Sequence, residues 1–280
     1  MCTASPSMIT RALPDLQAWT AHCLAAPTPV LADTVELLEG YRANEDAVDA
    51  HLLAETISAD PLMSLKLMAH VAAVRSSRST TDPETVTAAL VMLGISPFFR
   101  AFGPQTAVDQ HLSGHPEALQ GFNRVLRRAH RSASFALAFA VHRMDHDAPV
   151  IHAAALLHDF AELLLWLHAP ALALQIAERQ RRDPALRSAD VQRELLHIEL
   201  QDLQQALMRA WRLPELLVQI NDERHAETAQ VRNVLLAVRL ARHTARGWDN
   251  AALPDDVRDI AALLNLGDVP TLQLLRDIDS

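Results

Sequence analysis

Apolar residues recur along this chain at helical spacing, and short polar or proline-bearing breakers separate the runs. Leu62, Leu65, Leu67, Met68 and Val71 follow Ser58-Ala59-Asp60-Pro61. Asp60 suits an N-cap and Pro61 the first helical turn, so a helix is predicted to open there, after another over Ala47 to Ile57. Arg75 to Pro83 is polar and Ser/Thr-rich and reads as a loop. Thr85 to Leu93 predicts a short helix stopped at Gly94, with a restart at Ser96-Pro97. Residues 107–120, with Gly114 and Pro116, are expected to separate two lobes. A long helix is predicted over Asn123 to His142, then a polar loop from Met144 to Pro149. Leu156, Phe160, Leu163 and Leu167 recur at i, i+4, i+7 and i+11, which makes Val150 to Leu167 a single apolar helix central to the second lobe. Arg179 to Arg187 reads as a loop. Helices are then predicted over Ala189 to Trp211, Pro214 to Asp222 and Gln230 to Arg246, with a short helical tail from Gly247 to Ser280.

Composition supports an all-α fold. The 280 residues include only seven glycines and one tyrosine, and half are apolar. So few glycines argue against hairpin-rich barrels, sandwiches and Gly-rich phosphate loops, and abundant Ala and Leu favour helix. Charge narrows the partners. A formal net charge of −9 disfavours general nucleic-acid coating. Lys66 is the only lysine, so the remaining basic residues are arginines. Cys2 and Cys23 support neither a disulfide framework nor a cysteine zinc site. Met1 to Arg11 carries no signal-peptide pattern, and Ala153 to Leu174 is interrupted by His158, Asp159, Glu162 and His168, too polar to span a bilayer. A cytoplasmic location without membrane association is expected.

Fourteen histidines invite a metalloenzyme reading. The sharpest local signal is Leu156-Leu157-His158-Asp159-Phe160-Ala161-Glu162. An adjacent His and Asp in an apolar helix is costly unless the pair is hydrogen-bonded or ligates a metal such as Zn, Fe or Mn. Arg124, Arg127, Arg128 and Arg131 fall at i, i+3, i+4 and i+7, a candidate face for a phosphate-bearing ligand or acidic partner, or a solvated helix face. Arg239, Arg242 and Arg246 repeat that pattern. His142, Asp145, His146, Asp147 and His152 read as a surface turn, and His111 and His115 as solvated loop residues. Ser132 and Ser134 lack a nucleophile-elbow setting.

The order of four motifs adds a family. Ile57-Ser58-Ala59-Asp60-Pro61-Leu62, Val86 to Gly94 (like "v-x-x-A-l-x-x-L-G"), Ala154-Ala155-Leu156-Leu157-His158-Asp159 and Trp211-Arg212-Leu213-Pro214 together resemble the HDOD domain. That domain is a bacterial signalling relative of the HD superfamily of metal-dependent phosphohydrolases. The resemblance runs from about residue 13 to 246. It implies a two-lobed helical bundle with an N-terminal lobe over 13–110, a degenerate HD-like lobe over 120–246, an extension over 1–12 and a tail over 247–280.

The same resemblance implies that His130, His158, Asp159 and His225 stand where the superfamily keeps its metal site or nearby histidines. The remaining positions have changed. Leu200 occupies a family histidine position, Val238 a distal carboxylate position, and Arg224 the first of a histidine pair. No cofactor is therefore expected. Were a metal bound, His130, His158 and Asp159 would be its ligands, for Fe, Mn or Zn. The resemblance implies a non-catalytic regulatory domain acting on a separate signalling protein. The alternatives are a metal-dependent phosphohydrolase or phosphodiesterase with an unusual site, and a nucleotide sensor without turnover. With no receiver, GGDEF or EAL module in the sequence, input is expected from a separate partner or small ligand.

Overall fold

The computed structural model describes residues 8–74, 83–183 and 185–280. Cys2, most of the 1–12 extension and the loop expected from Arg75 lie outside them, apart from Pro83 and residues 8–12. The described chain is all helical, with one isolated bridge between Val30 and Ala107 in place of any strand. It parts into two compact units, residues 1–125 with 160–213, and residues 126–159 with 214–280. The chain thus passes between units inside a helix near 125, at 159–160 and at 213–214, not in the 107–120 segment.

The first unit holds α1 (Leu16–Ala25), α2 (Ala32–Ala43), α3 (Ala50–Ser58), α4 (Pro61–Val74), α5 (Val86–Leu93), α6 (Ile95–Ala101) and α7 (Val108–His111). The start of α8 (Pro116–His142) also belongs to it. Asp60 behaves as its sequence position requires. Its carboxylate accepts the Leu62 and Met63 amides of the α4 first turn at 2.8 and 3.0 Å, and the Leu31 amide at 2.8 Å. One buried side chain therefore caps α4 and pins the entry to α2. Behind it Leu38, Leu53, Ile57, Met63, Leu67, Leu90 and Phe98 form the core. Thr85 caps α5 through the Ala88 amide, and Gly94, at φ +83°, turns the chain into α6. A side chain there would be strained.

Helix α8 begins seven residues earlier than its hydrophobic pattern predicts, because Pro116 opens its first turn. The second unit receives the rest of α8 and α9 (Ala148–Leu157). The apolar run expected as one helix is interrupted by a turn at His158-Asp159 before α10 (Phe160–His168). There the His158 amide bonds Ala155, three residues back, a tightening characteristic of helix ends. Residues Ala148–His168 make up one stretch long and apolar enough to cross a membrane, and 78% of its apolar window is buried inside the structure.

The first unit continues through α10, α11 (Pro170–Arg182), α12 (Ser188–Leu196) and α13 (Leu200–Ala210). Helix α11 extends into the stretch expected as loop from Arg179. Ala189 to Trp211, expected as one helix, breaks at His197, whose φ is +64°. The break is stabilised by side chains: Trp19 Nε1 donates to the Leu196 carbonyl at 2.9 Å, and Gln192 accepts the Leu200 amide. Together they engage the two ends of one bond the continuous helix would have made, from the Leu200 amide to the Leu196 carbonyl. Near the first turns of α8, Gly121 lies so close to Trp166 that a Cβ would stand 2.4 Å from the indole ring.

The second unit is completed by α14 (Glu215–Ile220), α15 (Ala229–His243), α16 (Leu253–Leu264) and α17 (Asp268–Ile278). The segment expected as a tail contributes Val257, Ile260, Leu264 and Leu275 to the buried core. It is also held by polar contacts. Asp256 on α16, buried, pairs with Arg239 at 2.7 Å and His243 at 2.6 Å, both on α15.

Candidate functional site

The HD pair sits at the end of α9, within the second unit. Asp159 is 8% exposed, and its two oxygens are fully engaged. Arg128, from α8, donates Nε to Oδ2 at 2.8 Å and brings Nη2 within 2.7 Å of the same oxygen. Arg242, from α15, donates to Oδ1 at 2.8 Å. His158 Nδ1 stands 3.1 Å from Oδ1, and its Nε2 lies 3.4 Å from Glu223 Oε1, an ion-pair distance without hydrogen-bond alignment.

The electrostatics follow from this arrangement. Burial alone would raise the Asp159 pKa, but Arg128 and Arg242 outweigh it and hold the carboxyl well below its ordinary range. Burial likewise opposes a charged His158. The neighbouring carboxylates of Asp159 and Glu223 overcome that and raise its pKa. Glu223 is in turn held low, first by His158. The site is a five-member charge network in which two guanidinium groups supply the positive charge beside the carboxylate.

The other expected members have surroundings of their own. His130 is half-buried on α8 and acts electrostatically on His152. His225 is exposed, with Nδ1 3.7 Å from Asp222. Val238 is a buried core residue of α15, one turn before Arg242, and Leu200 opens α13 in the first unit. Among the described residues no three His, Cys, Asp or Glu side chains form a group that could hold a metal.

The four-arginine face is also divided. Arg124 and Arg127 are exposed. Arg128 is spent on Asp159, and Arg131 grips Asp279 through Nε and Nη2, each at 2.7 Å, and also bonds Thr244. Of the second stripe, Arg239 and Arg242 are likewise paired, while Arg246 is exposed.

Sequence reasoning missed Glu223. Its only signal was the polar run Asn221 to His225 after an apolar helix. It also left His111 solvated. In the first unit His111 Nε2 lies 3.0 Å from the Leu167 carbonyl, and its ring packs 6.3 Å from that of His168, which packs 5.3 Å from His22. Burial, reinforced by these two neighbours, pushes His168 down to about 4. In the same unit, burial pushes the Cys23 thiol up to about 12, which leaves it unreactive.

No curated protein sequence matches this chain. It is similar in fold to the MmoQ response regulator from Methylococcus capsulatus str. Bath, at 17% identity and a TM-score of 0.68, covering 90% of this chain and 99% of that one. It is also similar to a virulence factor from Campylobacter jejuni subsp. jejuni, at 17% identity and a TM-score of 0.62, covering 93% and 94%. The sequence pattern of the HDOD domain matches residues 29–227, most of the chain, and the chain belongs to the HDOD domain family.

Proposed function

We propose that this chain is a cytoplasmic signal-transduction domain that acts by binding a separate signalling protein and does no phosphohydrolase chemistry. One observation carries the non-catalytic reading: both oxygens of Asp159 are taken by Arg128, Arg242 and His158. Metal-assisted phosphoester hydrolysis needs a divalent ion with enough ligands to activate water. Here the donor set is poor, because Val238 replaces the distal carboxylate by the family pattern and His225 is turned toward Asp222. Two arginines already neutralise the aspartate, so a metal would have to displace them. The residues present do not fit such an ion.

The signalling role draws on family membership and on the fold shared with MmoQ, which is a response regulator. Elemental analysis of protein purified without chelator, run beside a bis(p-nitrophenyl) phosphate assay, tests the non-catalytic part. We expect substoichiometric metal and no turnover. Stoichiometric Fe, Mn or Zn that disappears in His158→Ala together with turnover would reverse the reading. A nucleotide-sensing role rests on Arg124 and Arg127, which remain exposed. Calorimetric titration with cyclic dinucleotides tests it, and Arg124→Ala/Arg127→Ala should abolish any heat.

A further inference from the structure

The first unit contains a cavity of about 270 Å³ that neither the HD network nor the arginine stripes touch. Its walls are apolar: Leu62 and Leu65 on α4, Phe102, Leu164 and Trp211. Among the described residues, the one charged group on the lining is Lys66, the only lysine in the sequence. Its ammonium donates to the Thr28 carbonyl at 2.9 Å and to Gln105 Oε1. Both acceptors are neutral. The oxygens of Asp60, whose charge acts on Lys66 through space, are taken by the Leu31, Leu62 and Met63 amides.

A half-buried cation without a bonded anion is expensive, and an ammonium carries three donors, of which two are used here. Among the described residues no further acceptor bonds it. Apart from histidines, every other basic residue of this chain is arginine, and the lysine places a compact point charge with three rotatable donors on a flexible stem at the cavity. The volume corresponds to about nine waters, at ~30 Å³ each. One positive charge and one spare donor match a single carboxylate. A phosphate dianion would call for more donors than the walls provide.

We propose that this cavity binds an unbranched monocarboxylate of about eight carbons, its carboxylate on Lys66 and its tail against Leu62, Leu65, Phe102 and Trp211. Such a ligand would be an input to the domain, a role separate from the HD position. The thiol of Cys23, also on the lining, stays neutral and does not compete for the carboxylate.

Octanoate, 1-octanol and octylamine each hold eight carbons in one unbranched chain and differ in head group, so the test uses all three. Calorimetry and tryptophan fluorescence on the full chain should show saturable octanoate binding, about tenfold or more tighter than octanol, with octylamine weakest. Lys66→Met should bind octanoate no better than octanol. Ala69→Leu, at another lining position, should weaken both, with the melting temperature confirming that each variant is folded. Absence of saturable octanoate binding to the wild-type chain up to ~10 mM, about 2.7 kcal/mol of affinity at 298 K, would overturn the proposal. So would equal affinity for octanoate and octanol in the wild-type chain, a comparison that requires no variant to fold.

Discussion

Arg242 on α15 and Asp159 at the end of α9 lie 83 residues apart and meet at 2.8 Å, and that contact gives the HD position a structural occupation. Asp159 has a second guanidinium in Arg128, so the carboxylate is flanked by positive charge from two helices. A buried ion that loses its partners is left with an uncompensated desolvation cost.

That asymmetry orders the variants at the site. Asp159→Ala leaves Arg128 facing a cavity and is expected to cost about 3–5 kcal/mol. Arg242→Gln should cost less, about 1 kcal/mol, because the Arg242 side chain is 49% exposed and Arg128 still faces the aspartate. Urea unfolding of both variants checks the ranking. Equal losses would show that the two arginines do not share the load as their exposure implies.

The helix breaks were the least legible part of the sequence. Periodicity identified helices correctly around Asp60-Pro61 and Thr85 to Gly94, where a capping side chain, a proline or a glycine marks the boundary locally. It ran through His158-Asp159 and through His197, because what ends the helix there is remote: the ion partners of Asp159 in one case, the indole of Trp19 in the other. The candidate site failed in the same way. Spacing put Arg128 and Arg131 on one stripe with Arg124 and Arg127, but only the fold reveals that the first two point at Asp159 and Asp279. That Leu200 and Val238 cannot ligate a metal needed no structure, since neither side chain carries a donor atom.

Acid should destabilise the first unit through His168. Unfolded, its imidazole titrates near 6.5; folded, burial and the neighbouring His22 and His111 hold protonation off until about 4. The unfolded chain therefore binds more protons between these values, and stability must rise with pH across that window. The contribution is complete above 6.5 and falls away toward 4, by at most ~3 kcal/mol. His158 works in the opposite sense. Its raised folded pKa stabilises fully below the ordinary histidine value, and that support is lost as pH rises through the folded value. Unfolding free energies from pH 4 to 7 should show a slope that flattens or reverses in His168→Leu. A slope unchanged in that variant would remove His168 as its source.

Gly121 is a case where the usual helical advantage of alanine should invert. In an open helix Gly→Ala gains about 1 kcal/mol. Here the new Cβ would stand 2.4 Å from the Trp166 ring, within a rigid buried neighbour. Gly121→Ala is expected to cost about 1–3 kcal/mol through overpacking. Trp166→Leu should remove most of that penalty in the double variant, a coupling that a thermal-unfolding cycle measures.

Helix α17 is anchored chiefly by one polar side chain. Arg131 binds both oxygens of Asp279 and also Thr244 and the Ala241 carbonyl, and Trp248 Nε1 adds a bond to Asp279 at 3.1 Å. One α8 side chain thus ties α17 to the end of α15, where α17 otherwise offers few buried side chains, chiefly Thr271 and Leu275. A helix end with so little apolar burial opens locally when its polar anchor is removed. In Arg131→Met, amides of residues 275–279 should exchange hydrogen at least about tenfold faster, while those of α4 in the other unit stay protected. Asp279→Asn should show the same pattern more weakly, because it keeps a hydrogen-bond acceptor but loses the charge. Uniform acceleration across both units would mean that Arg131 supports global stability and not this anchor.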